Sequence, residues 1–169
     1  MAAGATYEPI ATQTLASAAS SITFSSIAAS WTDLRLVFVD KGATGSPFAI
    51  MQYNGDTATN YSYTDLYGSG TAAGSARATS SARIAINDWG SPTTTIPQLS
   101  NIDIFSYAGS TYKTCLINTS NDNNGSGYTE NRVGLWRSTA AITSIVLTAS
   151  SGGNFAIGTT ATLYGIAKA

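Results

Sequence analysis

Short hydrophobic runs that alternate with polar residues recur along most of the chain, separated by Gly, Ser, Asn and Pro. The clearest run is Asp33–Asp40, in which Leu34, Leu36 and Phe38 fall on one side of an extended chain. Successive side chains of a strand point to opposite faces, so this run predicts a strand with one face in a core.

The same pattern predicts about ten strands, spaced about 10–15 residues apart, which is typical of an antiparallel sandwich or barrel. We therefore expect an all-β chain, folded as an antiparallel, jelly-roll-like β-sandwich with less than about 10% helix. The predicted strands are 33–40, 46–53, 83–87, 101–107, 111–118, 132–137, 142–149, 154–157 and 162–167, with weaker candidates at 7–15 and 21–24. The predicted core contains Leu34, Leu36, Phe38, Ile84, Ile86, Ile102, Ile104 and Leu163.

Three segments without this alternation are predicted to be loops. Residues 68–81 are dense in Gly, Ala and Ser, residues 87–97 contain two prolines, and residues 120–127 contain Asp-Asn-Asn-Gly. We expect residues 1–6 to form an N-terminal arm and residues 7–169 to form a single domain, since 169 residues suit one domain.

Composition narrows the possible functions. Charged residues make up 10% of the chain, against roughly 25% in an average soluble protein. Eight basic residues against nine acidic ones give no basic excess for nucleic acid. The polar remainder is largely 22 Ser and 24 Thr, which suit exposed positions of a stable β protein. An uncharged surface also suits contact with other copies or with another protein, where buried charge is costly.

The residues that could perform chemistry are few. The chain has no His to activate a nucleophile, and Cys115 lies in an apolar strand pattern typical of a core. Most acidic residues lie at strand ends or turns, where Asp usually shapes the backbone. We therefore predict no enzymatic activity, no metal and no cofactor. A carbohydrate-active enzyme with a carboxylate pair facing a cleft is left as a remote alternative.

The chain contains no long apolar segment, and its first basic residue is Arg35. We expect no membrane contact and no secretory signal, so synthesis in a cytoplasm is predicted.

Aromatic residues gather near the turn Asn54-Gly55-Asp56, where Tyr61, Tyr63 and Tyr67 follow in close succession. Such residues can belong to the rim of a core, to a protein interface or to a sugar-binding loop. We favour an interface over a sugar site because few acidic residues accompany them to bind hydroxyls.

Three segments resemble small structural proteins of tailed bacteriophages. Residues 21–27 and 31–37 resemble a "TFSSI…YTDLRLV" opening, and residues 53–68 resemble an "FNGDTGSNYSYTRLYG" stretch. Residues 162–166 match a "TLYGI" ending, in the same order along the chain. The resemblance implies a β-sandwich protein of the capsid surface or the tail, and no binding residue can be carried over from the group.

The expected function is a capsid decoration, or cement, protein on the outer surface of a phage virion, made in the bacterial host cytoplasm. Its expected partners are the major capsid protein and other copies of itself, most naturally as a trimer on a three-fold position of an icosahedral shell. A tail or fibre module that binds a host glycan, or holds the tail assembly together, is the alternative.

Two sets of contact residues are predicted. The oligomer interface is placed on Tyr61, Tyr63, Tyr67 and Arg77, with the segment Gly68–Ser81. Capsid contact is placed on the N-terminal residues Ala2, Ala3, Thr6 and Tyr7.

Overall fold

The computed structural model describes residues 6–44 and 48–167, and in these ranges the chain forms fourteen strands and no helix. The strands are β1 Tyr7–Thr14, β2 Ser21–Phe24, β3 Asp33–Asp40, β4 Gly42–Thr44, β5 Ala49–Tyr53, β6 Tyr61–Gly68, β7 Ala73–Ser81, β8 Ile84–Ala85, β9 Gln98–Phe105, β10 Lys113–Asn121, β11 Tyr128–Trp136, β12 Ile145–Ala149, β13 Asn154–Phe155 and β14 Thr160–Ile166.

Two antiparallel sheets account for twelve of these strands. The large sheet has the order β1-β14-β3-β9-β10-β11-β6-β7, and the small sheet has the order β2-β12-β5-β8. Strands β4 and β13 form a short separate ribbon. The hydrophobic core includes buried residues from both sheets, so the predicted all-β antiparallel sandwich is confirmed.

The alternation read from the sequence places the core correctly. Strand β3 has the predicted bounds, and its even-numbered residues are buried. The eight predicted core residues are all fully buried. We call the side of the large sheet that carries Leu34, Ile102 and Leu163 the inner face, and the opposite side the outer face.

The predicted loop at 68–81 is wrong, because β7 occupies Ala73–Ser81 and pairs with β6. Its Gly, Ala and Ser side chains are too small to show a hydrophobic alternation, so backbone pairing rather than burial defines the strand. Strand β6 was likewise not predicted. The predicted loop at 87–97 does separate β8 from β9, whereas the loop at 120–127 shortens to 122–127.

One end of the inner face is polar rather than apolar. Asp40, Gln98, Ser100 and Thr119 continue the inward-facing rows of β3, β9 and β10, and all four are buried. Neither carboxylate oxygen of Asp40 has a hydrogen-bond partner among the described residues. Burial away from water raises the pKa of Asp40 to about 7.

This shift predicts a pH-dependent effect of Asp40→Asn on stability. The folded protein holds the Asp40 proton to about pH 7, whereas the unfolded chain loses it near pH 3.8. The wild type therefore loses stability as pH rises through this window, and the variant avoids that loss. We expect the stability of Asp40→Asn relative to wild type, measured by urea unfolding, to improve by up to about 4 kcal/mol between pH 4 and pH 8.

The matched control is Asp122→Asn, which changes an exposed turn residue that accepts a bond from Gly125 N. Its effect should differ little between the two pH values. An Asp40→Asn effect that is equally independent of pH would contradict the assignment of a buried, protonated Asp40.

Candidate functional site

A fully buried arginine, Arg132 of β11, lies at the centre of the largest charged cluster in the described part of the chain. Its Nη2 lies 2.9 Å from Asp65 Oδ2, 3.0 Å from Asp88 Oδ2 and 3.4 Å from Glu130 Oε2. Its Nη1 donates to the carbonyl oxygen of Ala85 at 2.6 Å. Arginine is seldom fully buried unless it is paired, and here it is paired several times over.

Strand register explains how these groups meet. Arg132 pairs directly with Asp65 of β6, and Glu130 lies two residues before Arg132 on the same inner face. The segment between β8 and β9 supplies Asp88 and Trp89. The main-chain N–H of Trp89 donates to Glu130 Oε1 at 3.0 Å, and its indole N–H donates to Asp65 Oδ2 at 3.0 Å. These bonds attach segment 86–97 to the inner face of β6 and β11.

The cluster holds three carboxyl groups against one guanidinium. Tyr63 completes it, because its ring lies 4.4 Å from the Arg132 guanidinium carbon and its hydroxyl donates to Asp88 Oδ2 at 3.1 Å. Burial raises the pKa of Glu130, although bonds from Trp89 N–H and the charge of Arg132 oppose this. Burial likewise raises the pKa of Tyr63.

Solvent access decides what this cluster can do chemically. The side chains of Asp65 and Glu130 are 0% and 1% exposed, and only that of Asp88, at 33%, reaches solvent. A carboxylate pair that hydrolyses a glycosidic bond must face the substrate from both sides. These carboxylates instead accept bonds from Arg132 and from donors of the fold itself. For Glu130 those donors are main-chain N–H groups, and for Asp65 and Asp88 they are side chains, so the cluster serves to hold the fold together.

An aromatic pair extends from the cluster to the edge of the sheet. The rings of Trp89 and Tyr67 stack at 3.8 Å between centroids, 19° from parallel. Tyr67 in turn covers Gly74 of β7, where an added Cβ would lie 2.6 Å from the tyrosine hydroxyl. A continuous series of contacts therefore joins the buried charges to segment 86–97 and to the edge strand β7.

The predicted oligomer interface needs a correction at Tyr61. This residue is fully buried and packs beside Tyr53 and Trp136, so it presents no surface to a second chain. The odd-numbered residues of β6 face inward, which also takes Tyr63 and Tyr67 into the contacts described above. Arg77 is the member of the predicted set that is exposed.

The predicted capsid contact is only partly described. Ala2 and Ala3 lie outside the described residues, whereas Thr6 is exposed and its carbonyl accepts a bond from Ala167 N. Tyr7 begins β1, and its hydroxyl accepts a bond from Arg35 Nη1 at 3.1 Å. Tyr7 is thus part of the sheet, at 46% exposure, on the outer face beside Tyr164.

The outer face of the large sheet is broad and nearly uncharged. No residue that the register places on it is buried. The exposed large hydrophobic residues on it are Tyr7, Leu66, Leu99, Phe105 and Val133. Its charged residues, in the described part of the chain, are Asp33, Arg35, Arg77 and Asp103. Arg35 and Asp103 neutralise each other at 3.4 Å.

Two shallow hollows lie on this side of the molecule. The larger, of about 530 Å³, has Val39 and Leu99 in its lining together with Asn121, Asp122 and Tyr128. The smaller, of about 390 Å³, lies between β6, β7, β10 and β11.

The other candidates from the sequence lie elsewhere. Cys115 is buried in β10, and burial raises the pKa of its thiol to about 11. Asp122 and Gly125 form an exposed turn between β10 and β11. The described residues contain no group of three His, Cys, Asp or Glu placed to hold a metal ion. In the same residues, no helix has the length and apolar character needed to cross a membrane.

Sequence reasoning missed the Arg132 cluster, although the sequence carried a signal for it. Glu130 and Arg132 occupy alternate positions that share the inward side of β11 with Trp136. Charges at inward positions of a strand require partners, which would have directed attention to Asp65 and Asp88.

Comparison with known proteins adds no relative: no family model, no curated protein and no solved structure matches this chain.

The cluster predicts that Arg132→Met destabilises the protein by about 3–5 kcal/mol at pH 8, because two buried carboxylates then lack a counter-charge. Protonation can neutralise those carboxylates, so the loss should be smaller at pH 5. Arg77→Met, which removes an exposed arginine two strands away, should change stability by less than about 0.5 kcal/mol. Urea unfolding at both pH values measures this. An Arg132→Met loss no larger than that of Arg77→Met would disprove the role of the cluster.

Proposed function

We propose that this chain is a structural protein of a tailed-phage virion that decorates and stabilises the capsid shell. The observation that carries the proposal is the outer face of the large sheet, with its exposed hydrophobic residues and few charges. Protein interfaces are depleted of charge at their centre and enriched in aromatic and other apolar side chains. A cement function requires such a surface and no reaction.

The size of the outer face suits this role. Eight strands and seven to nine residues per strand give a surface about 35 Å by about 25 Å. That area is comparable with the roughly 800 Å² that each partner buries in a typical stable interface. Tyr7, one of the residues predicted to touch the capsid, lies on this face at the start of β1.

The resemblance to tailed-phage structural proteins supports the same proposal. Its first segment forms β2 and the start of β3, its second runs from the end of β5 through β6, and its third falls in β14. These strands belong to both sheets, so the residues that carry the resemblance are distributed over the whole sandwich and are not confined to one loop.

The strand order supports a jelly-roll arrangement, which is common in viral capsid proteins. The small sheet pairs β2, β12, β5 and β8, and the large sheet contains β3, β11, β6 and β7 in that order. Between β2 and β12 the chain alternates between these two sets of four strands, as in the two Greek keys of a jelly roll. We interpret β9 and β10 as a hairpin inserted between β3 and β11.

We further propose that the protein lies on the outer capsid surface, binds the major capsid protein and associates with copies of itself. The trimer expected from the symmetry of a shell is part of this proposal.

A tail or fibre module that binds a host glycan is the second candidate. The larger hollow supports it, since Tyr128 could stack on a sugar ring while Asn121 and Asp122 bind hydroxyls.

Binding to undecorated shells, assembled from the major capsid protein of the same phage, tests the proposal. Wild-type protein should pellet with the shells, and the double variant Leu66→Lys/Val133→Lys should bind at least tenfold more weakly. The two lysines add charge to neighbouring strands of the docking face, where it must be desolvated.

The control is Ile157→Lys, which changes an equally exposed hydrophobic residue in the turn between β13 and β14. It should bind as the wild type does. Failure of the wild type to bind shells would refute the cement function, and binding to host-surface polysaccharide in its place would support the tail module.

A further inference from the structure

The two edges of the large sheet differ in how they are protected. Strand β1 carries Glu8 and Pro9 and a bulge between Pro9 and Ala11. Proline, charge and bulges on an edge strand discourage pairing with another chain. Ile10 and Ala11 also pack against the hydrophobic core, so β1 is anchored from the inside.

Strand β7, at the opposite edge, has almost none of these protections. It runs for nine residues, Ala73–Ser81, without proline, and Arg77 is its single charged residue. It pairs regularly with β6 from Ala73 to Ala78, and its irregularity is confined to the last residues, near the positive φ of Ser80. Its other edge pairs with no strand in the described part of the chain.

Nothing in the described core explains why this strand is ordered over nine residues. No residue of β7 is buried, and none packs against the core. Its support is pairing with β6 and the cover that Tyr67 provides over Gly74. A strand with no buried residue and one unpaired edge is a place where a further strand can add.

We propose that β7 pairs with β7 of a second copy of this chain, antiparallel and about a two-fold axis. The pairing joins two eight-stranded sheets into one continuous sheet. This inference rests on the proposed function only for self-association as such, and it replaces the trimer expected from shell symmetry by a two-fold pair, because an isologous contact closes as a dimer.

The β7 edge of a second copy fits this edge better than the β1 edge of a second copy does. The side chains beside the edge are mostly small and neutral, so two identical strands can approach without a clash or a buried charge. Head-to-tail addition of β7 to β1 would meet Pro9 and the bulge. A two-fold contact uses the same patch on both copies and closes on itself.

Charge limits the register of the pair. An axis through Arg77 would place two arginines directly opposite each other, which is unfavourable. An axis through Ala76 places Arg77 opposite Ser75 of the second copy and Gly74 opposite Ala78. We therefore assign the axis to Ala76.

The contact is small. A nine-residue strand is about 30 Å long, so two paired edges bury less than the roughly 800 Å² per partner of a standard interface. We expect a dimer that forms in the range of tens of micromolar and that is favoured where many copies are held close together, as on a shell.

Sedimentation equilibrium over about 1–200 μM tests the proposal, with a double variant, Ala73→Lys/Ser75→Lys, on the outer side of β7. The wild type should rise towards twice its 17.4 kDa mass, and this variant should stay monomeric. The matched control, Thr12→Lys/Thr14→Lys, adds the same charge to exposed positions of β1 and should dimerise as the wild type does. Circular dichroism checks that each variant is folded.

Ala76→Cys provides an independent readout of register. Two cysteines on the axis lie within disulfide distance, so oxidation at high concentration should cross-link this variant and not Thr12→Cys. A monomeric wild type at 200 μM, or a dimer or trimer that persists in Ala73→Lys/Ser75→Lys, would overturn the inference. Shell binding by a wild type that stays monomeric would leave the proposed function intact, whereas a wild-type dimer that binds no shell would refute that function alone.

Discussion

The paired guanidinium of Arg132 determines how one half of the sandwich closes. Segment 86–97 lies against the inner face of β6 and β11 beside this guanidinium, where Trp89 donates a bond to Asp65 and Asp88 accepts one from Arg132. Ile86 anchors the start of that segment in the hydrophobic core, and Asp88 and Trp89 attach it to the charged cluster. A buried ion pair adds little stability over an apolar core, but removing one partner is severe. The geometry of this half therefore depends on all the charges being present together.

The same cluster links the interior to the surface. It fixes Trp89, Trp89 stacks on Tyr67, and Tyr67 covers Gly74 of the edge strand. The polar side chains that a small domain usually exposes are here drawn inward, including Asp40, Asp65, Glu130 and Arg132. What is left outside is a sheet face of Thr, Asn, Ser and a few hydrophobic residues. The outer face of the large sheet thus carries little charge because these charged residues are buried in the interior.

The sequence predicted those parts of the fold in which side-chain size alternates. Strand β3 was obtained with its bounds because Leu34, Leu36 and Phe38 contrast with their neighbours. Strand β7 could not be predicted in this way, because its side chains are small and backbone pairing alone defines it. Each tyrosine of β6 faces one side of the sheet, and which side depends on the register with β11. No single segment encodes that register. The prediction that Tyr61 belongs to a surface interface is wrong for this reason.

Contacts between distant segments explain why the site itself was harder to predict. Asp65, Asp88 and Arg132 are separated by up to 67 residues and meet only when β6, β11 and segment 86–97 are assembled. The outer face is likewise a property of eight strands in order, whereas its individual residues resemble those of any exposed strand. Composition could indicate that such a surface exists, but only topology shows where it lies.

A three-dimensional map of the intact virion is the most direct test of the proposed capsid role. Density for this sandwich should lie on the outside of the capsid, with the outer face of the large sheet against the shell. Absence of the chain from the capsid, or its location on the tail or a fibre, would contradict that role.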